Sequence, residues 1–434
     1  MSTTTIEPCM ASPIGKVPVE WEYTTIGQLC NVKRGASPRP ISDPKWFGGS
    51  TGWVRISDVT QSNKYLRTTV DFLSEDGVSK SVRVNIGEVI LTICATIGVP
   101  IIVDTDVCIH DGFVWFENLP DRVNREYWYY FLASKTDEFK TYKQTGTQGN
   151  LNTAIVGSVE FGLPPLREQK KIARILSSVD SKLALIDQQI TTTQTLKKGL
   201  MQKLFTQGVG TQDADGRWQQ HTEFQETELG LLPTSWDLKR LDEIASVARG
   251  RFSARPRNDP KFFGGNCPFV QTGDISASKL FLEVFSQTLN EKGISVSKVF
   301  PRHTILMTIA ANIGDVALAK FSVACPDSVV GIQANTEACD PFWLFYALNT
   351  KKEALDSQAT QNAQKNINLQ VLNPLTLAVP PLNEQIVISQ VLLSNDKKLE
   401  YLQAQKAQTQ QLKKGLMQKL LTGQIRVQPD PQDH

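Results

Sequence analysis

The sequence predicts two mixed α/β domains in tandem, each followed by a long helix, with the two helices paired as an antiparallel coiled coil about a pseudo-twofold axis. An internal repeat is the first reason. Leu196–Thr206 reads LKKGLMQKLFT and Leu412–Thr422 reads LKKGLMQKLLT, which are ten identities in eleven positions at an offset of 216 residues. A repeat half as long as the 434-residue chain indicates two copies of a domain-sized unit. Val- and Ile-rich stretches before each helix indicate the α/β class.

The repeat extends along both copies as short matched blocks. Pro165–Gln169 matches Pro381–Gln385, and Asp43–Gly49 matches Asp259–Gly265. Between these blocks the copies diverge strongly. Matched blocks separated by divergent segments predict one scaffold that carries two different recognition surfaces.

The matched blocks divide the chain into predicted segments. They are an N-terminal segment (1–20), a first globular domain (21–163), a first long helix (164–206), a linker (207–235), a second globular domain (236–379), a second long helix (380–422) and a C-terminal tail (423–434). The linker is polar and glycine-rich, which predicts a flexible segment, and residues 428–434 are predicted to be disordered.

Each globular domain is predicted to contain strands rich in valine and isoleucine, followed by a helix with one aromatic face. The predicted strands are 52–59, 82–93, 97–103, 269–275, 304–309 and 315–321, and the predicted helices are 126–141 and 341–356.

The long helices are predicted to begin after Pro164-Pro165 and Pro380-Pro381, because proline fits the first turn of a helix but not its interior. Apolar residues spaced by three and four from Ile172 to Ile190, and again from Leu196 to Leu204, predict a seam between paired helices. Leu412–Leu420 repeats the end of this seam. Helices of about 39 residues would extend roughly 60 Å.

Composition limits the functional classes. The net charge is +2, so the chain is not a polycation, and it has no run of eighteen apolar residues. The N-terminal residues lack the basic and apolar regions of a secretory signal. The seven cysteines form no CxxC pair and are odd in number, and there are only four histidines. This pattern predicts reduced thiols in the cytoplasm and no metal site.

Catalytic motifs are absent from the sequence. It contains no P-loop, no Rossmann glycine motif after a strand, no GxSxG and no HExxH. Asp43–Trp46 and Asn258–Phe262 resemble the DPP[YF] loop of amino methyltransferases, but lysine replaces the second proline and no cofactor loop accompanies them. A structural turn, or a basic loop close to phosphates, is the favoured interpretation. We therefore expect a chain without catalytic activity.

Two pairs of loops have the composition of DNA-binding surfaces. The first pair is basic and precedes the first strand of each domain, and its residues are Lys33, Arg34, Arg39 and Lys45 in the first copy and Arg249, Arg251, Arg255, Arg257 and Lys261 in the second. Arginine can bind both guanine edges and phosphates. A solvated basic loop is the alternative, but the same placement in both copies favours DNA contact.

The second pair of loops is polar and follows the domain helix. Its residues are Lys143, Gln144, Thr145, Gln148, Asn150 and Asn152 in the first copy and Gln361, Asn362, Gln364, Lys365, Asn366 and Asn368 in the second. Asn and Gln can pair with adenine edges. A capped turn is an equally weighted alternative. The aromatic residues Trp46, Trp53, Tyr127, Trp128 and Trp343 are predicted to lie in the core rather than to stack on bases.

Taken together, these residues resemble the specificity subunit of type I restriction-modification enzymes. The resemblance covers nearly the whole chain. It rests on the helix entries LPPLREQKKIARIL and VPPLNEQIVISQVL, the helix ends LKKGLMQKLFT and LKKGLMQKLLT, and the segments WVRISDV and FVQTGDI.

The resemblance implies a division of labour. Each globular domain would be a target recognition domain for one half of a bipartite double-stranded DNA site, and the helices would set the spacer and dock two modification subunits. Those partners would use S-adenosylmethionine to methylate adenine, and restriction subunits would bring ATP, Mg²⁺ and nuclease activity. This chain would need no cofactor. A solitary methyltransferase and a coiled-coil scaffold without nucleic acid are the alternatives, which cofactor titration and a DNA-shift assay would distinguish.

Overall fold

The computed structural model describes residues 9–13, 15–142, 151–360 and 366–428, and it divides into two compact units. Unit 1 comprises Met1–Asp187 together with Ala404–His434, and unit 2 comprises Gln188–Gln403. Each unit therefore contains one globular domain, the first half of one long helix and the second half of the other. The predicted class, tandem mixed α/β domains with a long helix pair, is confirmed.

The strands of unit 1 form two main sheets and two small pairs. They are β1 (Cys9–Ser12), β2 (Gly15–Pro18), β3 (Glu22–Thr25), β4 (Asn31–Arg34), β5 (Phe47–Val54), β6 (Tyr65–Leu66), β7 (Asp71–Leu73), β8 (Val82–Val84), β9 (Val89–Thr92), β10 (Pro100–Val103), β11 (Val107–Ile109), β12 (Phe113–Glu117) and β13 (Glu160–Leu163). Its short helices are α1 (Ile26–Leu29), α2 (Ile56–Gln61), α3 (Glu75–Ser79), α4 (Arg125–Ser134), α5 (Thr136–Thr141) and α6 (Thr153–Gly157).

The two sheets of unit 1 have the orders β4-β12-β9-β10-β6 and β7-β5-β11-β8 within the described residues. β12 pairs antiparallel with both β4 and β9, whereas β11 pairs parallel with β5 and antiparallel with β8. Helix α4 supplies Trp128 and Phe131 to the core that lies on one side of the first sheet. The short turn between β11 and β12 joins the two sheets and positions the candidate site.

Unit 2 repeats this arrangement. The long first helix α7 (Leu166–Leu204) leads into β14 (Thr211–Gln212), β15 (Trp218–Gln219), β16 (Phe224–Thr227), β17 (Gly230–Pro233), β18 (Asp237–Arg240), β19 (Ala245–Arg249), β20 (Phe263–Phe269), β21 (Phe281–Leu282), β22 (Gln287–Leu289), β23 (Val299–Phe300), β24 (Ile305–Thr308), β25 (Val316–Ala319), β26 (Val323–Ala324), β27 (Val329–Ala334) and β28 (Thr376–Val379). Its helices are α8 (Leu241–Ile244), α9 (Thr272–Ala277), α10 (Glu291–Ser295), α11 (Pro341–Thr350), α12 (Lys352–Thr360), α13 (Leu369–Leu372) and the long second helix α14 (Leu382–Leu420). The main sheets have the orders β19-β27-β24-β25-β21 and β22-β20-β26-β23.

Both long helices begin directly after the predicted prolines and contain 39 residues each. A buried glutamine fixes each start. The side-chain amide of Gln169 donates to the carbonyl oxygen of Pro164 at 2.8 Å, and its side-chain oxygen accepts from the backbone N–H of Asn124 at 2.9 Å. Gln385 makes the equivalent bonds to Pro380 and Asp340 in unit 2.

The helix halves within unit 1 run antiparallel. Asp180 pairs with Lys413 at 2.6 Å, and Asp187 pairs with Lys406 at 2.6 Å. Seven residues forward along α7 thus correspond to seven residues backward along α14, which is the heptad step of a paired-helix seam. In unit 2, Asp396 and Lys197 form the counterpart of the Asp180–Lys413 pair at 2.5 Å.

The predicted seam is buried at its start and at its last members, Leu204 and Leu420, but it is wrong at Leu196 and Leu412. Ile186 is buried, but Leu196 and Leu412 are 51% and 54% exposed. One heptad step from Ile186 leads to Thr193, which is buried, as is its counterpart Thr409. Threonine can occupy these positions because each hydroxyl donates to the carbonyl oxygen four residues earlier, at 2.7 and 2.8 Å.

Two predicted strands, 52–59 and 269–275, are largely wrong. The first strand ends at Val54 and the second at Phe269, and α2 and α9 follow them. The cause is a local cap, in which the carboxylates of Asp58 and Asp274 each accept a backbone N–H three residues earlier at 2.8 Å. The predicted helices 126–141 and 341–356 each divide in two, at Lys135 and Lys351.

The linker is ordered rather than flexible. It contains the hairpins β14–β15 and β16–β17, and its first residues bind a helix of unit 2. The backbone N–H groups of Val209 and Gly210 donate to the buried carboxylate of Glu384 at 2.7 and 3.0 Å. Residues 429–434 of the predicted disordered tail lie outside the described residues. Among those that are described, no helix is long and apolar enough to cross a membrane.

Candidate nucleic-acid interface

The basic loop of unit 1 connects the first sheet to the second. Its predicted DNA-binding cations are Lys33 and Arg34 at the end of β4, Arg39 in the loop that follows, and Lys45 in the 3₁₀ turn Pro44–Trp46. All four residues are exposed. The first half of the loop lies against the β11–β12 turn, because a Cβ at Gly35 would be 2.2 Å from the carbonyl oxygen of His110.

Asp111 in the β11–β12 turn accepts hydrogen bonds from three residues of this loop. The Arg34 side chain donates to the backbone carbonyl oxygen of Asp111 at 2.6 Å. The carboxylate of Asp111 accepts from the Ser37 hydroxyl at 2.7 Å and from the Arg39 guanidinium at 3.0 Å. The Ser37 hydrogen bond and the charge of Arg39 hold the pKa of Asp111 below its ordinary value, despite partial burial. Asp111 is therefore an ionised acceptor at neutral pH.

The basic loop of unit 2 is built around the equivalent aspartate. Arg249 donates to the backbone carbonyl oxygen of Asp327, as Arg34 does to Asp111. Arg257 donates to the Asp327 carboxylate at 3.0 Å. Gly250 lies against this turn, because a Cβ there would be 2.3 Å from the carbonyl oxygen of Pro326.

The arginine that pairs with Asp327 in unit 2 is not the one that aligns with Arg39 of unit 1. Arg39 aligns with Arg255, and each precedes a proline in a cis peptide bond. The Arg255 guanidinium turns back on its own loop and donates to the carbonyl oxygens of Ala254 and Phe252 at 2.7 and 3.3 Å. Arg257, two residues further on, takes the place beside Asp327.

The lysines of both loops also have acidic neighbours. Lys33 pairs with Glu117 at 2.7 Å, and Lys45 with Asp43 at 3.0 Å. In unit 2, Lys261 pairs with Asp259 at 2.8 Å; Arg251 is exposed.

These ion pairs do not lock the cations in place. The side chains of Lys33, Arg39, Lys45, Arg257 and Lys261 are all more than half exposed. Exposed pairs contribute about 0–1 kcal/mol to stability, so a phosphate or a base edge can replace the carboxylate at small cost. The loops can therefore change partners on contact with nucleic acid.

Most of the predicted polar-loop residues lie outside the described residues, namely Lys143, Gln144, Thr145, Gln148, Asn150, Gln361, Asn362, Gln364 and Lys365. Asn366 is exposed and forms an isolated bridge with Ala310, beside the turn after β24. Asn152 and Asn368 cap α6 and α13 by accepting backbone N–H groups at 2.9 and 3.2 Å. For these two residues the capped-turn interpretation is confirmed.

The aromatic residues weighed as possible stacking platforms lie in the core, as predicted. They are Trp46, Trp53, Tyr127, Trp128 and Trp343. Among the described residues, no group of three or more His, Cys, Asp or Glu side chains is arranged to hold a metal ion.

Sequence reasoning missed Asp111 and Asp327. Both belong to short turns with little shared sequence, HDGF and PDSV, in which the aspartate is the common residue. Alignment of the two halves at the offset of 216 would have found them. Attention to the cations alone hid the aspartate that each loop contacts.

A comparison with protein families supports the resemblance drawn from the motifs. The family described as "Type I restriction modification DNA specificity domain" matches residues 18–193 and 233–411. The chain belongs to this family. Both globular domains of this specificity-domain protein are covered by the match.

Named relatives extend the comparison. The chain is 31% identical over 287 residues to the MjaX type I restriction enzyme specificity subunit of Methanocaldococcus jannaschii, a match that covers 66% of this chain and 64% of that protein. It is 25% identical over 428 residues to the MjaVIII specificity subunit of the same organism, covering 95% of this chain and 94% of the relative.

Solved structures share the fold. The S subunit of a type I restriction-modification system from M. genitalium is 14% identical, with a TM-score of 0.57, over 92% of this chain and 96% of that chain. A chain from a structural study of assembly and conformational transition of the type I R-M system is 18% identical, with a TM-score of 0.58, over 94% of this chain and 100% of its own.

Proposed function

We propose that this chain is the DNA-recognition subunit of a type I restriction-modification complex. The globular domain of each unit reads one half of a bipartite double-stranded DNA site. The observation that carries this proposal is the repeated basic loop, which is exposed in both units and built on an equivalent aspartate. Family membership agrees with it.

The two half-sites are proposed to differ in sequence. The loops share their position but do not present the same arginine, since Arg39 lies beside Asp111 whereas Arg257, from a different loop position, lies beside Asp327. Different donors at equivalent places suit different base edges.

The partners are proposed to be two copies of one modification subunit. Unit 1 contains a cleft of about 1130 Å³ between α14 and the domain, with Lys413, Lys414 and Met417 among its lining residues. Unit 2 contains a cleft of about 820 Å³ lined at the equivalent positions by Lys197, Lys198 and Met201 of α7. The nearly identical helix sides of the two clefts suit two identical partners rather than two different ones.

A glycine inside each long helix supports docking on the same segments. A Cβ at Gly199 or Gly415 would meet no atom within 4 Å, so the packing of the chain itself does not require glycine there. Glycine in a helix interior costs about 0.5–1 kcal/mol relative to alanine. We infer that the partner backbone approaches these positions closely. Gly199→Ala and Gly415→Ala should therefore stabilise the chain but weaken its assembly with the modification subunit.

Chemistry is assigned to the partners. S-adenosylmethionine would bind to the modification subunits, and ATP with Mg²⁺ to restriction subunits, while this chain holds neither. Isothermal titration of the purified full chain should give no S-adenosylmethionine binding until the modification subunit is added. Tight binding to the chain alone would contradict a purely recognising role.

The test of the proposed function is a domain exchange followed by mapping of methylated DNA. Residues 236–379 are replaced by the equivalent domain of a relative, and methylated sites are sequenced in cells that carry the chain with its modification subunits. One half of the site should change and the other should stay. A change in both halves, or in neither, would contradict modular reading.

The long helices are proposed to set the spacer between the half-sites. Four residues added to both helices, after Thr193 and after Thr409, would lengthen each by about 6 Å. Methylation should then favour a longer spacer between unchanged half-sites. A folded, active insertion variant that keeps the original spacer would assign the spacing to another part of the chain.

A further inference from the structure

We propose that Asp111 and Asp327 are positioning residues for DNA recognition. Each carboxylate orients one arginine of its basic loop, Arg39 in unit 1 and Arg257 in unit 2, so that the remaining guanidinium N–H groups reach a base edge. This inference rests on the proposed function of the basic loops.

The main support is that the same pair is formed twice from different arginines. The aspartates are equivalent in the two copies, and both pairs measure 3.0 Å from a guanidinium nitrogen to the carboxylate. The arginines are not equivalent, because Arg255, the counterpart of Arg39, binds its own loop backbone instead. Simple inheritance of a loop would have kept the aligned arginine. Replacement by Arg257 indicates that the pair itself is required.

Loop structure does not require the carboxylate–arginine pair. The backbone carbonyl oxygens of Asp111 and Asp327 already accept from Arg34 and Arg249, and these contacts hold each loop against its turn. The pairs themselves are exposed, with Arg39 at 70% and Asp111 at 40%. Exposed ion pairs add little to folding. Two of them at equivalent places therefore point to a requirement other than stability.

The physical benefit is orientation. A free arginine side chain populates many rotamers, and ordering it on DNA is unfavourable for affinity. A carboxylate that holds one nitrogen in place leaves the rest of the planar fork for a bidentate contact with guanine. The same carboxylate repels phosphate, so the pair favours base edges over the DNA backbone. This opposes the simple expectation that an acidic residue in a DNA-binding loop only weakens binding.

The two expectations for Asp111 predict opposite changes in DNA affinity when its charge is removed. Asp111→Asn removes one negative charge from the interface. By charge alone it should tighten binding to every DNA sequence and steepen the dependence on salt. If Asp111 orients Arg39, binding to the specific site should instead weaken by about tenfold, the size of one lost base contact. Binding to unrelated DNA should be unchanged or tighter.

The experiment uses the full chain assembled with its modification subunits. Affinities are measured for a duplex that carries the mapped methylation site and for a duplex of scrambled sequence, at several salt concentrations. The variants are Asp111→Asn, Arg39→Ala and the double variant. If Asp111 acts through Arg39, Asp111→Asn should cause no further loss in the Arg39→Ala background. A structural role would give the same loss in both backgrounds.

The matched control is at the opposite end of the same strand. Asp106 precedes β11 as Asp111 follows it, is similarly exposed, and pairs with Arg83 through two hydrogen bonds. Asp106→Asn should leave discrimination between the two duplexes unchanged. The loss from Asp111→Asn should also fall on the half-site read by unit 1, with Asp327→Asn affecting the other half.

Two results would overturn the inference in distinguishable ways. If Arg39→Ala weakens specific binding but Asp111→Asn does not, Asp111 is only a competitor of phosphate and the proposed function of the loop stands. If neither substitution alters binding to the site, the loop is away from DNA, and both the positioning role and the role given to the basic loops fail.

Discussion

The two units bury the same carboxylate at the same place and compensate it differently. Glu168 and Glu384 lie in the first turn of α7 and α14, and they are 2% and 1% exposed. Each accepts the indole N–H of an equivalent tryptophan, Trp21 at 3.0 Å and Trp236 at 2.9 Å. The buried glutamate and its tryptophan donor are therefore common to both units.

The remaining partners differ. In unit 1, Arg426 donates to both carboxylate oxygens of Glu168, at 2.8 and 2.9 Å. In unit 2, the carboxylate of Glu384 accepts from two backbone N–H groups of the linker and from His221 at 3.0 Å. A guanidinium thus holds the carboxylate in one copy, and two backbone N–H groups together with a histidine ring hold it in the other.

Each long helix is fixed at its first turn by residues that follow the other long helix. Arg426 follows the end of α14, and the linker residues follow the end of α7. Each unit thus ties the residues that leave one long helix to the first turn of the other. The buried glutamate is the common anchor, and the segment that happens to follow each helix supplies the donor.

The largest expected effect comes from removing Arg426, the guanidinium that pairs with Glu168. Arg426→Ala should lower the free energy of unfolding of unit 1 by about 3–5 kcal/mol, because it leaves the Glu168 carboxylate buried without its cation. His221→Ala should cost unit 2 less, about 1–3 kcal/mol, since Trp236 and the linker N–H groups still donate to Glu384. Urea unfolding, followed by probes in each unit, measures both.

A rescue separates lost charge compensation from lost packing. Glu168→Gln in the Arg426→Ala background removes the uncompensated charge and should recover part of the stability. Equal losses from Arg426→Ala and His221→Ala, or no recovery in the double variant, would contradict the idea that the two anchors differ in kind.

A glycine with a positive φ follows each long helix. Gly208 and Gly423 have φ values of +68° and +71°. A Cβ at Gly208 would be 2.1 Å from a carboxylate oxygen of Glu384, and one at Gly423 would be 2.5 Å from the ring of Pro18. Each alanine substitution should cost about 1–3 kcal/mol through the backbone conformation alone. Gly208→Ala should cost more, because it also displaces the anchored carboxylate.

Gly199→Ala is the matched control, since that position lies in a helix with open space at the Cβ. It should raise the free energy of unfolding by about 0.5–1 kcal/mol. A Gly208→Ala variant as stable as the parent would show that the linker is not held by Glu384.

The sequence predicted the features whose causes are local. The helix starts followed from Pro165 and Pro381, because proline acts on its own backbone. The duplication of the domains followed from the repeat. The strand predicted over 52–59 failed for an equally local reason, since its valine and isoleucine content is typical of a strand while Asp58 caps a helix there.

Long-range partners could not be predicted in this way. Nothing near Glu168 in sequence indicates that Trp21 and Arg426 will surround it, 147 and 258 residues away. The polar, glycine-rich composition of the linker predicts flexibility, and the carboxylate that orders its first residues comes from α14. The same limit hid Asp111 and Asp327 in the candidate site.

The two units share a motif where each domain meets the long helices. Tyr130 donates to Asp180 and Tyr346 donates to Asp396, both at 2.6 Å. Each aspartate also pairs with a lysine, so this motif belongs to the shared frame. Tyr130→Phe and Tyr346→Phe should each cost about 1 kcal/mol. Unequal losses in thermal or urea unfolding would show that the two motifs are not equivalent.

Beside this motif the two units diverge. In unit 1, Glu126 accepts from Tyr65 and from the hydroxyl of Ser177 at 2.7 Å, and Lys64 lies 3.3 Å away. At the equivalent positions, unit 2 has Phe342 and Leu393 for Glu126 and Ser177. Unit 1 has a polar network where unit 2 has apolar side chains.

The smallest predicted effect depends on pH and tests this difference. Burial raises the pKa of Glu126, but the hydrogen bonds from Tyr65 and Ser177 and the charge of Lys64 outweigh it, so the pKa lies below its ordinary value of 4.5. A carboxyl whose pKa is lower in the folded state stabilises that state above its unfolded pKa, and the contribution is lost as the pH falls through the folded pKa.

Glu126→Gln should therefore destabilise unit 1 at neutral pH, and the difference from the parent should shrink as the pH falls below about 4.5. Unit 2 should show no such change, because Phe342 does not titrate. Phe342→Leu serves as the control for loss of packing at the same place, and its effect should not vary with pH. Urea unfolding from pH 7 to pH 3 measures both. A difference between Glu126→Gln and the parent that stays constant over this range would mean that the lowered pKa of Glu126 contributes nothing to the stability of unit 1, and the contrast between the two junctions would then be one of packing alone.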